Sequence, residues 1–403
     1  MNPALADHRV LQFLIVTGNY WIYTLANSAL RVLLVLYFHQ LGYTPLEIAL
    51  LFLLYEFVGI FTNLVGGWLG ARLGLSQIMH IGLFLQAVAL SALLVPVTYL
   101  TVPWVMAALA LSGIAKDLNK TSGKTSIRML VSESEQGKLY RRAAILTGSK
   151  NSLKGAGYFL GAVLLTLIGF RGAVAVLLLV LGLVLISSLI LLQPDLGRSS
   201  GKPKFQQVFS ISRSINLLSA ARFFLIAARD VWFVVALPVY LATAVGWDHW
   251  RIGGFLAFWV IGYGIFQSLA PALIRKRDGT PPDGWQATLW AAALSVVPLI
   301  LFIALEQGIS ATPVLLVGLL LFGIPFALNS ALHVYLIVHY AGRRDGASMD
   351  IGFYYMANAA GRLFGTVLSG WLFQSSGLGV CLLVSACLIG ITAMISLALP
   401  REN

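Results

Sequence analysis

Charge is scarce in this chain. Of its 403 residues only 10% are Asp, Glu, Lys or Arg, against 59% hydrophobic, whereas soluble domains run about 25% charged and about 45–50% apolar. That shortage, with a mean hydropathy of +0.86, excludes a soluble globular protein. Acids are rarer still: 15 Asp and Glu stand against 27 Lys and Arg, a formal net charge of +12. The only cysteines, Cys381 and Cys387, lie in one apolar stretch, so neither a disulfide framework nor a thiolate metal site is supported. The histidines, His8, His39, His80, His249, His333 and His339, show no ligand spacing. No metal or hydrolase motif stands out, and no cofactor is expected. Residues 1–10 hold Asp7 and Arg9 and no short apolar core before a cleavage-type site, so a removable signal peptide is not expected.

Apolar runs, by contrast, recur from end to end. Runs of about 20 residues match a hydrocarbon core about 30 Å thick. Twelve spans are predicted, at 11–38, 45–68, 77–97, 102–127, 142–168, 173–192, 215–245, 252–274, 285–305, 313–338, 348–373 and 378–399. The fold class is therefore an all-α polytopic membrane protein. Its expected organisation is a six-helix bundle in 1–193, a cytoplasmic linker in 194–213 and a second six-helix bundle in 214–403. Loops on one side collect sixteen Lys and Arg, from Arg9 to Arg401, while the other side has only Arg171 and Arg251. By the positive-inside rule both termini are expected in the cytoplasm.

The two halves read as a duplication with a step of roughly 204 to 210 residues. Gly42-Tyr43-Thr44 opens the second span, with Thr44 as N-cap, Pro45 at the first helical position and Glu47 completing a capping box; Gly246-Trp247-Asp248 opens the eighth in the same way. Gly113-Ile114-Ala115-Lys116-Asp117-Leu118-Asn119 parallels Gly323-Ile324-Pro325-Phe326-Ala327-Leu328-Asn329. Gly157 and Gly161 match Gly361 and Gly365, although small-xxx-small pairs are also common packing devices in any membrane protein.

Nine cations fall inside the predicted spans: Arg31, Lys116, Lys120, Lys124, Lys150, Lys154, Arg222, Arg229 and Arg362. Each would cost about 2.5–3.5 kcal/mol at a lipid-facing helix centre, so they are expected to face the protein interior or a wet cavity. Glu56, Asp117 and Asp230 are the internal acids, and Asp350 sits at a span's edge. The surplus of positive charge calls for an anion. Lys116, Lys120, Lys124 and Arg128 recur every four residues, drifting about 40° per step along one stripe. Lys124 and Arg128 lie near the inner end, where snorkelling to headgroups is the alternative. Lys150 and Lys154 repeat the step with Asn151 beside them, and Arg222 and Arg229 are seven apart on span seven. Asn19, Tyr23, Asn27 and Arg31 form a polar line, whereas Tyr20 and Trp21 read as core aromatics.

Chemistry divides these residues. Arg31, Arg222, Arg229 and Arg362 are candidate bidentate oxyanion clamps. The lysines can also exchange protons when crowded in a poorly hydrated cavity, a route to proton coupling. Asn19, Tyr23, Asn27, Asn119 and Asn358 are candidate neutral donors, and Glu56, Asp117 and Asp230 candidate coupling or counter-ion residues. An intramembrane enzyme would need an activated nucleophile or metal set, which the scattered histidines do not offer. A receptor would have little use for nine buried cations.

The loop Gly67-Trp68-Leu69-Gly70-Ala71-Arg72-Leu73-Gly74 resembles the G-x-L-A-D-R-x-G signature of the major facilitator superfamily, with Ala71 at its acidic position and Leu75-Ser76 in place of the basic pair. That implies two six-helix halves related by a pseudo-two-fold axis. Over nearly its whole length the chain also resembles the ArsJ-type organoarsenical efflux permeases. The residues that carry this are VTGNYW (16–21), FHQLGYTPLEIA (38–49), LSGIAKDLNK (111–120), LTGSKNSLKGAG (146–157), INLLSAAR (215–222), ARDVWFVVALPVY (228–240) and GWDHW (246–250). The resemblance implies export of 1-arseno-3-phosphoglycerate, arsenate resistance, a bacterial inner membrane and functional partnership with a glyceraldehyde-3-phosphate dehydrogenase. A carrier or exchanger for another organophosphate or organic anion would use the same cations. A monomer with no nucleic-acid partner is expected.

Overall fold

A computed structural model describes residues 3–43, 51–130, 136–193, 212–247, 249–274, 282–342 and 347–401. The described residues form eleven α-helices and one 3-10 turn. They are α1 (Pro3–Gln40), α2 (Leu53–Leu73), α3 (Leu75–Ala92), α4 (Val102–Leu130), α5 (Gln136–Leu191), α6 (Arg213–Phe233), α7 (Ala236–Thr243), α8 (His249–Leu273), α9 (Gly284–Glu306), α10 (Ala311–Ala341) and α11 (Ala347–Ser396). Thr44, Pro45, Glu47 and Asp248, read above as caps, lie outside the described residues, as does the expected linker up to residue 211.

Helix lengths follow from bilayer thickness. Nine described stretches are long and apolar enough to cross a membrane, two of them far too long for one crossing: Tyr140–Leu191 and Met349–Ser396 have 52 and 48 residues. At about 1.5 Å per residue such helices would measure roughly 70–80 Å. Each is broken by one glycine outside helical geometry, Gly169 (φ 69°, ψ 177°) and Gly377 (φ 78°, ψ −175°), where a side chain would be strained. The breaks fall between the predicted fifth and sixth and the eleventh and twelfth spans. α4 is long enough to span at 29 residues and differs from its neighbours by carrying Lys116, Asp117, Lys120 and Lys124. With α4 counted and both breaks honoured, the twelve-span fold is complete.

The predicted seventh span, 215–245, is not one helix. α6 ends at Phe233 and α7 begins at Ala236, because Pro238 has no N–H and its ring would clash with the carbonyl one turn earlier.

Two compact units are present. One comprises Met1–Glu135, Leu153–Phe209 and Ala341–Met356; the other Gln136–Ser152, Ser210–Tyr340 and Ala357–Asn403. Each has its own apolar core, the first around Leu30, Leu33, Leu34, Leu83 and Leu109, the second around Trp232, Leu294, Phe322 and Phe326. In the first unit α4 packs against α1, α2 and α3. The outside is also apolar: Phe159, Leu167, Ile190, Phe258, Val367 and Trp371 are largely exposed, the mark of a lipid-facing surface.

The glycine pairs of the repeat make equivalent contacts. A Cβ on Gly157 would meet the Leu25 carbonyl at 2.6 Å, and one on Gly161 the Ala29 carbonyl; in the second unit Gly361 lies under the Phe223 carbonyl and Gly365 within 2.7 Å of that of Ala227. Thus α5 packs on α1 as α11 packs on α6, by direct backbone approach.

Candidate functional site

In the first unit, four helices bring a charged cluster together. Arg31 (α1) reaches Glu56 (α2) at 3.5 Å. Lys116 (α4) lies 3.7 Å from Glu56 and 3.9 Å from Asp117, and Lys120 donates to Asp117 at 2.6 Å. Lys120 also stands 4.7 Å over the Tyr355 ring of α11. Asp117 is only 1% exposed, pressed between Lys120 and Gly59, where a Cβ would come within 2.7 Å of its Oδ2. Tyr55 is the platform beneath: Lys116 sits 4.0 Å over its ring and Arg31 5.9 Å, with Phe52 5.0 Å from Arg31. These cation–π contacts support both cations in addition to their pairing with Glu56.

The polar line on α1, predicted to supply neutral donors, makes interior hydrogen bonds in the structure. Asn27 donates to the Tyr55 hydroxyl at 2.9 Å, fixing the platform. Tyr23 donates to Gln86 Oε1 at 3.0 Å, and the Ser112 hydroxyl lies 2.8 Å from the same oxygen. Asn19 meets the Met79 sulfur at 3.8 Å. Asn19 and Tyr23 are buried and tie α1 to α3 and α4, so of the line only Asn27 and Arg31 join the cluster. Asn119 is likewise buried, donating to Ala115 O and packed against Gly82. Its repeat mate Asn329 donates to Ala287 O on α9, a shared helix-packing role.

The second unit is built differently. Arg229 clamps Asp230 with Nε and Nη2 at 2.6 and 2.5 Å, Arg362 (α11) lies 3.9 Å from the other carboxylate oxygen, and Arg229 stands 5.4 Å over the Phe326 ring. Asp230 is 1% exposed. Arg222, about two turns away on α6, donates from Nε to Asn358 at 2.8 Å and from Nη1 to Ser330 at 2.9 Å. The two α6 arginines thus serve separate groups.

Lys150 and Lys154 are half-buried on α5. Lys150 belongs to the second unit and Lys154 to the first; Lys154 stands 5.6 Å over the Tyr158 ring, and Asn151 donates to Gln267 of α8 at 2.5 Å. The side chain of Lys124 lies outside the described residues. Sequence reading missed the aromatic platforms Tyr55, Phe326 and Tyr355, and the hydroxyls of Ser112 and Ser330. Ser330 was within reach, because one more residue of the 210-step repeat sets it opposite Lys120.

In the ion pairs named, three carboxylates face five cations, so positive charge is in excess within both groups. The arrangement suits a passenger that brings negative charge into a membrane-spanning bundle. The sequence profile described as Major Facilitator Superfamily matches residues 16–349. The chain belongs to that superfamily. As a member it is a multi-pass membrane transporter rather than an enzyme. No curated protein matches it in sequence. Among solved structures, the human organic anion transporter MFSD10 (TETRAN) is similar with TM-score 0.76 and 16% identity, over 96% of this chain and 99% of that one. The E. coli fucose:proton symporter FucP gives 0.73 and 13% over 98% and 100%. A bacterial homologue of the iron transporter ferroportin, in an outward-facing state, gives 0.74 and 15% over 96% and 98%. At these identities the likeness is one of fold.

Proposed function

We propose that this transporter exports an organic anion bearing more than one oxyanion group, and that 1-arseno-3-phosphoglycerate, the substrate implied by the resemblance to ArsJ-type permeases, is its cargo. The observation that carries the reading is the charge balance: five paired cations for three carboxylates, with Arg222 held by neutral oxygens. Permanent guanidinium charges suit carboxylate, phosphate and arsenate oxygens, so Arg31, Lys116 and Lys120 in the first unit and Arg222, Arg229 and Arg362 in the second are assigned to oxyanion binding. Export proceeds by alternating access, for which duplicated halves are suited, across a bacterial inner membrane with both termini in the cytoplasm. The duplicated bundles of 1–193 and 214–403 and the linker 194–213 are the units of that reading.

The test is arsenate resistance and cellular arsenic in a sensitive host, with and without a coexpressed glyceraldehyde-3-phosphate dehydrogenase. Resistance is expected only with the enzyme. Lys120→Ala and Arg229→Ala, expressed at the wild-type level, are each expected to abolish it. Normal export by both variants overturns the assigned site, and resistance without the enzyme redirects the cargo to inorganic arsenate. A carrier of another organophosphate or organic anion is the second reading, favoured by a charge surplus that does not depend on arsenic. Competition by unlabelled organophosphates in reconstituted vesicles separates the two.

A further inference from the structure

The three internal carboxylates are held in two different ways. Asp117 and Asp230 are each 1% exposed and bound by a cation at 2.6 and 2.5 Å, the range of strong charge-assisted hydrogen bonds. Glu56 is 18% exposed, and its contacts to Arg31 and Lys116 are 3.5 and 3.7 Å. Its partners Arg31 and Lys116 are themselves partly exposed, at 31% and 20%. A loosely held carboxylate on a three-torsion side chain can leave; a buried one in a tight pair cannot without stranding a charge.

The repeat supplies an independent argument. The 204-residue step that carries Gly42 onto Gly246 sets Tyr55 on Trp259 and Glu56 on Val260. The glycine of each repeat faces the matching aromatic residue, Gly113 the Tyr55 backbone and Gly323 the Trp259 indole. The matching position of the second half holds Val260, so the duplicated helix does not itself demand an acid at position 56. The cations would also stay in place without it. Arg31 rests over Phe52 and Lys116 over Tyr55, with Tyr55 fixed by Asn27. The adjoining pocket, lined by residues including Asn27, Arg31, Tyr55 and Ser112, has a volume of only about 10 Å³, room for roughly one water. An oxyanion group gains its place by displacing a group already at the cations.

We propose that Glu56 is a built-in stand-in for the cargo: it occupies the Arg31–Lys116 station when the carrier is empty, gives way to one oxyanion group of the substrate, and returns as that group leaves. The inference rests on the anion-transport reading and names the group with which the anion competes. Such exchange limits affinity, which an exporter needs in order to release its load.

The test is binding of 3-phosphoglycerate, which carries a carboxylate and a phosphate, to the purified full-length protein in nanodiscs by calorimetry. Glu56→Gln removes the competing charge and is expected to bind the probe about fivefold tighter than wild type, the scale of a partly exposed ion pair. Glu56→Val, carrying the residue found at position 260, serves as the second variant should the glutamine protein not be monodisperse. Wild-type binding with unchanged or weaker binding in the Glu56 variants overturns the exchange alone. No binding by any of the proteins overturns the anion reading together with it.

Discussion

Asp117 and Glu56 lie on neighbouring helices and share Lys116, yet their surroundings predict opposite responses to neutralisation. Asp117→Asn keeps the shape but leaves Lys120, 12% exposed, without its carboxylate. Breaking one side of a buried pair costs roughly 3–5 kcal/mol, so thermal unfolding in detergent is expected at a clearly lower temperature. Adding Lys120→Met on that background is expected to recover part of the loss, since the stranded charge goes with it. If Asp117→Asn unfolds with the wild type, the pair is not a structural one. The internal cations were legible in the sequence because charge inside an apolar run is conspicuous and expensive. Their aromatic supports were not: Tyr55 and Phe326 belong to the same apolar runs as the core, and nothing in the pattern marks a ring that lies under a cation. The interior hydrogen bonds of Asn19, Tyr23 and Asn119 were not legible for a related reason, since a polar residue in a span serves an interior hydrogen bond as readily as a cargo.

Helix contacts set the next scale. Gly161 and Gly365 each bring backbone against backbone, and a carbonyl cannot swing aside as a side chain end can. Gly161→Ala and Gly365→Ala are expected to force α5 off α1 and α11 off α6, at about 1–3 kcal/mol each, while Gly370→Ala, with open space around it, is expected to leave stability unchanged. Thermal denaturation of the three variants side by side checks this; an undisturbed Gly365→Ala protein would show that the interface can relax. The spacing of these glycines was readable, and so was their correspondence between halves. What spacing alone did not reveal was the break at 234–235, where Pro238 interrupts a run that hydropathy treats as continuous. Hydropathy averages over a window, whereas a missing N–H acts at one peptide.

At the scale of the whole molecule, the number of crossings was legible because bilayer thickness imposes it, and the loop charges carry a further expectation about direction. With both ends inside, green fluorescent protein fused after Asn403 should fluoresce and alkaline phosphatase at the same point should be inactive; the reverse pattern would invert the topology. Cargo uptake into everted vesicles should likewise stop when the pH gradient and membrane potential are collapsed, and indifference to both would remove proton coupling. The breaks at Gly169 and Gly377 bear on how such a machine moves. Each of these pairs of crossings meets at a single non-helical glycine. A lean in one arm must be passed to its companion at that elbow, so the fifth and sixth crossings behave as one lever and the eleventh and twelfth as another.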